Sequence, residues 1–446
     1  MLSSGTMTSA RDLRLSRPAA FVWVAAILVL FMAASSAPSP LYVVYQREWG
    51  FSATTLTVVF AIYVFGLLGS LLVVGALSDH IGRRPVLAAA IALEAASLVL
   101  FIAAPGVTVL AAARIAQGIA TGAAMTTLGA SLVDLNPSHA PGRAGLVNGV
   151  APLSGLAVGS LGCGLLIQYA PGPTHFVYAL LLAGMVLAGL VVAVLPETSA
   201  RRPGGLRSLR PRVSIPARLR PEVYALVPIL VASWALGGLY LSLGPSVAAG
   251  LFGLQSHLVG GLVVTMLCGT GAVTAFALRG WQTGRVLATA AVLLGVGMAL
   301  SLAGVETDTA VLAAVGTVVA GVGFGAAALG GFGTLARIAA PDERGELFAV
   351  AFVIAYLAFS LPAVVAGFAS TTVGLRTTAE AYAVAVIALS ATAVVAQRVL
   401  ARRRPVLRPT TDPEEITAAA LTLADKLDRN RPIRLLGVRV EMPKPD

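Results

Sequence analysis

Twelve long apolar runs follow one another along the chain, and short polar or glycine-rich connections separate them. An α-helix needs about 20 apolar residues to cross a bilayer core of about 30 Å. The pattern therefore predicts membrane-spanning helices near residues 19–44, 54–76, 86–104, 107–134, 145–169, 175–195, 223–246, 256–278, 286–304, 309–335, 346–370 and 378–398. An even number of spans would return both ends of the chain to the same side of the membrane.

The composition excludes a soluble protein, and the sequence lacks the motifs of common catalytic classes. Hydrophobic residues make up 57% of the chain and charged residues 11%, whereas a soluble domain has about 25% charged residues. The two cysteines, Cys163 and Cys268, both lie inside apolar runs, which is typical of small core residues. The sequence contains no Walker loop, serine-nucleophile constellation or metal-spaced cluster. We therefore expect no ATP drive, no enzymatic activity, no cofactor and no metal.

The net charge of +11 could indicate a nucleic-acid partner, but the placement of the basic residues indicates membrane topology instead. Of the 31 Lys and Arg residues, all except Arg47, Arg114 and Arg376 fall in segments that share a side with the N-terminus. This asymmetry follows the positive-inside rule. We expect a multi-pass protein of the plasma (cell inner) membrane, with both termini cytoplasmic, a lipid bilayer around it and no nucleic acid bound.

The runs divide the chain into two halves. We expect a cytoplasmic N-tail over 1–18, a six-helix bundle over 19–195, a cytoplasmic linker over 196–222, a second six-helix bundle over 223–398 and a cytoplasmic C-tail over 399–446. Because the first run is long enough to span, we expect it to be retained and not cleaved as a signal peptide.

The halves echo each other in sequence. Arg143-Ala-Gly-Leu opens the fifth run and Arg344-Gly-Glu-Leu opens the eleventh, while Pro40 and Pro245 occupy similar places in the first and seventh. Repeated halves are typical of transporters in which one bundle rocks against the other. Small residues at helix interfaces could also produce single echoes by chance.

The connection between the second and third runs carries the motif Gly75-Ala-Leu-Ser-Asp79-His-Ile-Gly82-Arg83-Arg84-Pro-Val-Leu87. It resembles the signature loop of the major facilitator superfamily, G-x-L-[AS]-D-[RK]-x-G-R-[RK]-x-x-L, with His80 where that family usually has a permanent cation. The resemblance covers roughly residues 19–398. It implies an all-α membrane protein with twelve transmembrane helices in two pseudo-symmetric six-helix bundles, the major facilitator fold.

The resemblance also implies a conformational role for this loop. In the family, the Asp faces the start of helix 11 and the first Arg pairs with an acid at the end of helix 4, which here are Asp79, Arg83 and Asp134. Such contacts would hold the outward-facing state. The residues assigned to this latch are Gly75, Asp79, Gly82, Arg83, Arg84 and Asp134. The alternative is that these charges only set the topology of the loop.

Glu94 and Arg114 are charged residues that lie deep inside apolar runs. The stretch from Leu110 to Gly118 resembles a second family motif, l-x-x-x-R-x-x-Q-G, and this resemblance ties Arg114 to proton transfer. A carboxyl in the position of Glu94 can exchange a proton near neutral pH. We predict both as proton-coupling residues. The alternatives are that Arg114 extends to the outer surface and that Glu94 only hydrogen-bonds to a neighbouring helix.

The fifth run carries Gly155, Gly159 and Gly164, which match the antiporter motif G-x-x-x-G-P-x-x-G-G, with Ser160 in place of Pro and Cys163 in place of Gly. The resemblance favours an exporter of the drug/proton antiporter-like bacterial branch. Close packing of helices through small residues would explain these glycines equally well.

A substrate cavity is expected between the halves, near the middle of the membrane. Its candidate residues are Ser35, Ser36, Tyr42, Tyr45, Gln46, Gln117, Trp234, Tyr240 and Tyr356. Few charges and several aromatic rings suit an uncharged or amphipathic organic solute, although aromatic residues could equally anchor the protein at the interface.

These observations predict a monomeric secondary active transporter that exports a small organic or drug-like compound in exchange for protons by alternating access. Two alternatives stay open. One is proton-coupled uptake of a nutrient such as a sugar or a small metabolite. The other is a membrane receptor or scaffold that transports nothing.

Overall fold

The structure is a computed structural model that describes residues 14–75, 77–140, 142–199, 203, 213–254, 256–340, 343–403, 417 and 421. All regular elements in these ranges are helical. The α-helices are α1 Arg17–Ser36, α2 Pro38–Trp49, α3 Ala53–Val74, α4 Ser78–Ile81, α5 Arg83–Ile102, α6 Val107–Asp134, α7 Arg143–Tyr169, α8 Pro173–Val194, α9 Arg220–Ser242, α10 Gly244–Leu251, α11 His257–Ala277, α12 Thr283–Glu306, α13 Ala310–Ile338, α14 Arg344–Thr372 and α15 Leu375–Arg403. Short 3-10 helices lie at Ala217–Leu219 and Leu278–Gly280.

Twelve of the described helical segments are long and apolar enough to cross a membrane. This confirms the predicted all-α membrane fold and the number of spans. The observed helices extend beyond several predicted runs; α5, for example, begins at Arg83 and not near residue 86. The difference arises because polar residues at the interface continue the helix past the apolar stretch that marks it in the sequence.

The first span is built from two helical pieces. Helix α1 ends at Ser36 and α2 begins at Pro38, so that the whole span covers Arg17–Trp49. Proline has no backbone N–H and cannot complete the hydrogen bond to the residue four positions earlier. The seventh span shows the same construction, because α9 ends at Ser242 and the short helix α10 starts at Gly244 with Pro245 in its first turn.

The first and second halves of the chain meet along two helix pairs, α3 with α14 and α7 with α11. The second pair packs backbone against backbone. A Cβ atom on Gly261 would overlap the Ser160 carbonyl oxygen and would lie 3.2 Å from the Cα atom of Gly164. Only glycine fits at this crossing.

Hydrogen bonds join the halves from the middle of the molecule to one end. Tyr356 donates to the Met125 sulfur at 3.7 Å near the middle, and Ser256 donates to Gln168 Oε1 at 3.3 Å toward the end. Helix α2 also contacts both α10 and α11 at this end. We call it the closed end; the loop that contains α4 lies at the opposite end.

The described residues up to 397 form one compact unit, and those from 398 onward are assigned to a second unit. Large parts of the predicted N-tail, linker and C-tail lie outside the described residues. The predicted division into tails, linker and bundles therefore stays a prediction.

Candidate functional site

Three side chains form a hydrogen-bonded chain in the interior of the first half. Gln117 Nε2 donates to Glu94 Oε1 at 3.0 Å, and Arg114 Nη1 donates to Gln117 Oε1 at 2.5 Å. Glu94 and Gln117 have no exposed surface, and Arg114 is 1% exposed. The structure therefore places the two predicted proton-coupling residues in one buried network, with Gln117 between them.

The network is attached to the backbone of α1 just before its break. Gln117 Nε2 also donates to the Ala34 carbonyl at 3.1 Å, and Arg114 Nη1 also donates to the Ser35 carbonyl at 3.2 Å. The helical partner of the Ala34 carbonyl would be the N–H of residue 38, which is absent in Pro38. The proline thus frees an acceptor that the Gln117 amide uses, and this contact links α6 to the joint between α1 and α2.

Two tyrosine rings surround the guanidinium of Arg114. Its Cζ atom lies 4.1 Å from the centroid of the Tyr63 ring and 6.0 Å from that of Tyr42. A ring face attracts a cation through its quadrupole. The Tyr63 hydroxyl donates to Ser35 Oγ at 2.9 Å and so holds this ring against α1. The rings supply part of the electrostatic compensation that a buried guanidinium requires.

Three buried polar atoms in this region have no hydrogen-bond partner within the described ranges: Glu94 Oε2, Arg114 Nε and the Tyr42 hydroxyl. The ion pairs found among the described residues involve Arg83, Arg218 and Arg376, and Arg114 is in none of them. A buried charge without a counter-ion is costly. The site can therefore respond strongly to the gain or loss of a proton at Glu94.

The other cavity candidates from the first half have structural contacts. Ser36 Oγ donates to the Leu156 carbonyl of α7 at 2.8 Å. The Tyr45 hydroxyl donates to the Tyr178 hydroxyl at 3.4 Å, while its ring stacks on Trp49 with centroids 4.5 Å apart. Gln46 is half-buried near the end of α2. Their role in substrate binding stays a prediction.

Trp234 and Tyr356 lie together where the halves meet. Their ring centroids are 4.9 Å apart, and Tyr356 reaches Met125 of the first half. Tyr240 does not join them. Its hydroxyl lies 2.8 Å from Thr317 Oγ1, inside the second half.

Sequence reasoning missed the phenylalanines around Trp234. Phe332 lies 6.4 Å from Trp234 and 5.3 Å from Phe352, measured between ring centroids. Phe348 stacks on Phe332, and Phe352 stacks on Tyr356. We call Trp234, Phe332, Phe348, Phe352 and Tyr356 the aromatic wall. The available signal was the spacing of Phe348, Phe352 and Tyr356, which puts three rings on one face of α14.

The predicted latch residues cluster around Arg83 at the end opposite the closed end. Arg83 Nη1 lies 2.5 Å from Asp79 Oδ1, and Arg83 Nε lies 3.2 Å from Asp134 Oδ2. Arg84 Nε donates to the Val192 carbonyl at the end of α8 at 3.1 Å. Gly75 follows the last residue of α3. These contacts lie within the first half, and the latch role stays a prediction.

Glu197 is another residue that sequence reasoning did not assign to the site. Its carboxylate accepts hydrogen bonds from the backbone N–H groups of Arg83 at 2.8 Å and Arg84 at 3.1 Å, at the start of α5. A carboxylate there satisfies free helix donors and the positive end of the helix dipole. Gly82 has φ +103°, and a Cβ atom on it would lie 2.7 Å from Glu197 Oε2. Glycine at this position therefore allows both the turn and the cap.

We expect Glu197→Ala to destabilise the protein by about 1–2 kcal/mol, since it removes a charged cap from α5. The measurement is the thermal unfolding midpoint of the purified protein in detergent. Glu48→Ala, at an exposed position in α2, is the control and should leave the midpoint unchanged. An equal midpoint for both variants would show that the cap contributes no stability.

The family model described as Major Facilitator Superfamily matches residues 24–283. A curated MFS-type transporter, paaT of Penicillium rubens, is 29% identical over 154 residues, which are 34% of this chain and 28% of that protein's length. The match thus spans less than a third of that relative.

Solved structures of transporters share the fold. A bacterial homologue of the human lysosomal transporter Spinster, inward-facing and unoccupied, aligns with a TM-score of 0.67 and 13% identity over 87% of this chain and 98% of its own. The human organic anion transporter MFSD10 (TETRAN) aligns with a TM-score of 0.62 and 19% identity over 85% of this chain and 100% of its own. At these identities the similarity shows the fold alone.

A second family model, described as the impB/mucB/samB family C-terminal domain, matches residues 369–445. The described part of that range up to residue 403 forms the end of α14 and all of α15, which includes the candidate membrane span Leu375–Leu400. This match covers less than half of the chain and does not show a family.

Proposed function

This chain belongs to the Major Facilitator Superfamily, and we propose that it exports a small organic compound in exchange for protons by alternating access. It is a multi-pass membrane transporter of that type. Beyond membership of this family, we propose the direction of transport, its coupling to protons, the class of substrate, a location in the plasma membrane and a monomeric state.

The observation that carries the proton coupling is the buried Glu94–Gln117–Arg114 chain. Glu94 Oε1 accepts from Gln117, whereas Glu94 Oε2 has no partner within the described residues. A proton on Oε2 removes a buried charge and leaves the bond to Gln117 in place. Loss of that proton creates a carboxylate whose nearest cation among the described residues is Arg114, one amide away. Proton binding at Glu94 would therefore change the forces on Arg114.

Helix α1 connects the buried network to the closed end. Arg114 and Gln117 hold the Ser35 and Ala34 carbonyls, immediately before the joint that leads to α2. Helix α2 contacts α10 and α11 at the closed end. If the N-terminus is cytoplasmic, the closed end is extracellular, and the joint connects the proton site to the external closure.

The aromatic wall supports an organic substrate with an apolar, planar part. Its five residues carry no charge, and four of them keep partial exposure where the halves meet. Aromatic side chains bind flat apolar groups by stacking and by edge-to-face contact. The wall offers no ionic group, and its hydrogen-bonding groups are the Trp234 indole N–H and the Tyr356 hydroxyl, which already donates to Met125. Sugars and small charged metabolites need more polar or ionic partners than these.

The experiment that tests the proposal uses inverted membrane vesicles that contain the protein and are acidified inside. A panel of lipophilic dyes and drugs is added, and the internal pH is followed. The expected result is proton release on addition of a compound, and no release from vesicles without the protein. Movement of a compound out of the vesicles together with protons would contradict export and would indicate uptake into the cell. No compound-dependent response to the panel or to nutrients would favour a receptor or scaffold.

We expect Trp234→Leu to raise the apparent KM for aromatic dyes about 5–10-fold, because it removes one ring of the wall. Trp234→Phe keeps a ring and should retain most of the affinity. The measurement is the dye concentration dependence of proton release. Trp281→Leu, at a position that is 53% exposed, is the control. A KM change of equal size in Trp234→Leu and Trp281→Leu would contradict a role of the wall in binding.

A further inference from the structure

A cavity of about 220 Å³ lies inside the second half of the chain, toward the closed end. Its walls come from α9, α10, α11, α12, α13 and α15, and all of its lining residues belong to the second half. The aromatic wall and the Glu94–Gln117–Arg114 chain contribute no residue to it. The cavity is therefore separate from the surface at which the halves meet.

The lining is apolar and uncharged. Among the described residues that line it, three carry hydroxyl groups: Tyr240, Ser301 and Thr317. Thr317 Oγ1 donates to the Ala313 carbonyl at 2.9 Å, so that in its 2.8 Å contact with Tyr240 it acts as the acceptor. The Tyr240 hydroxyl uses its proton on Thr317. Ser301 Oγ also neighbours this hydroxyl, but its proton goes to the Ala313 carbonyl at 3.4 Å, so the Tyr240 oxygen can still accept a hydrogen bond. The cavity thus offers an apolar space in which the hydroxyl oxygens of Tyr240 and Ser301 can accept hydrogen bonds.

The lining gives water few hydrogen-bond partners, because its hydroxyls bond to one another or to the backbone. A smaller cavity of about 150 Å³ with a similar apolar lining is known to stay dry and to bind benzene. The volume near Tyr240 is large enough for a substituted ring.

The cavity lies directly behind the closed end. Gly244, Val247 and Ala248 of α10 line it. Pro245 lies between these residues on the same helix and packs against Gly260 of α11. A Cβ atom built on Gly260 would lie 3.3 Å from Pro245 Cβ and 3.9 Å from the Cα atom of Pro40 in α2. A molecule in the cavity would therefore support α10 in the position that closes this end.

We propose that this cavity is a regulatory site for an uncharged lipophilic molecule with one hydroxyl group, and that its occupation favours the state in which this end is closed. The hydroxyl donates to the Tyr240 oxygen, and the apolar part fills the space between α10, α12 and α13. The site is independent of the direction of transport and of the coupling ion.

The binding test uses the full chain in lipid nanodiscs and a photoreactive benzyl alcohol that carries a diazirine. We expect saturable labelling of peptides from α10, α12 and α13, and competition by unlabelled benzyl alcohol. Ala314→Phe fills the cavity and should reduce this labelling at least 5-fold. Ala388→Phe makes the same change on an exposed face of α15 and should leave it unchanged. Labelling that does not saturate, or that persists in Ala314→Phe, would overturn the site.

A second variant keeps the volume and tests the hydroxyl contact. In the wild type, benzyl alcohol should compete about 5-fold better than its methyl ether, which has no proton to donate. In Tyr240→Phe, this preference should disappear while labelling by the probe persists. A preference that survives in Tyr240→Phe would remove Tyr240 from the proposal.

The regulatory part is tested with spin labels at positions 168 and 256, which are exposed and face each other at the closed end. Saturating benzyl alcohol should increase the fraction of molecules in which the two spin labels are close together, which is the closed state. Ala314→Phe should have the same effect without any ligand. An unchanged distance distribution with a fully labelled cavity would show a binding site without regulation. Transport assays are not needed for either readout, so failure of the proposed function would leave this test intact.

Discussion

Replacing Glu94 with Gln is expected to abolish compound-dependent proton release while compound binding survives. Glutamine has the shape of the protonated acid, and its carbonyl can accept from Gln117 as Glu94 Oε1 does now. It cannot bind or release a proton. Loss of a positioned proton-transfer group reduces rates by about 100–10,000-fold, so we expect the coupled flux to fall to the background of vesicles without the protein.

The matched control is Glu306→Gln, the same change at an exposed residue at the end of α12. It should leave proton release intact, and dye binding should remain measurable in both variants by fluorescence. Proton release that survives in Glu94→Gln would keep the exporter and exclude Glu94 as the proton carrier. If Glu94→Gln loses both compound binding and folding, Glu94→His replaces it as the test. Histidine restores a titratable group and should recover part of the flux.

Residue type and depth in an apolar run selected Glu94, and for Arg114 the resemblance of its surroundings to a family motif was needed as well. Their connection was not predictable, because Glu94 and Gln117 lie on different helices and no spacing relates them. Gln117 was assigned to the substrate cavity as a polar residue of the fourth span, whereas the structure has it bridging the two charged residues. One available signal was Pro38, which leaves the Ala34 carbonyl without its helical donor and so predicts a side-chain partner there.

The choice of helix face was harder to predict than the helices themselves. In a membrane, residues that face lipid and residues that face other helices are both apolar, so the periodicity that orients a soluble helix is weak. Tyr240 and Tyr356 look alike in sequence, yet Tyr356 lies where the halves meet and Tyr240 lines a cavity inside the second half. The phenylalanines of the aromatic wall were missed for the same reason.

The crossing of α7 and α11 leads to the other prediction with a large effect, which concerns Gly261→Leu. Because even a Cβ atom on Gly261 would overlap the Ser160 carbonyl, a leucine there cannot be accommodated while the closed end stays closed. Overpacking costs about 1–3 kcal/mol, which changes a two-state population ratio by roughly 5–150-fold. We expect the closed end to open and transport to fall at least about 10-fold, since alternating access needs both states.

Spin labels at positions 168 and 256, in a background with Cys163 and Cys268 replaced by Ala, should report this opening as a longer distance. Gly162→Leu is the control, because a Cβ atom on Gly162 has no neighbour within 4 Å, and it should preserve both the distance and the transport. Normal transport with an unchanged distance in Gly261→Leu would mean that α7 and α11 yield at this crossing. Lost transport with an unchanged distance would mean that the leucine acts on folding or on the substrate path, and not on the closed end. Only the longer distance together with lost transport identifies the glycine contact as the surface that must separate and re-form in each cycle.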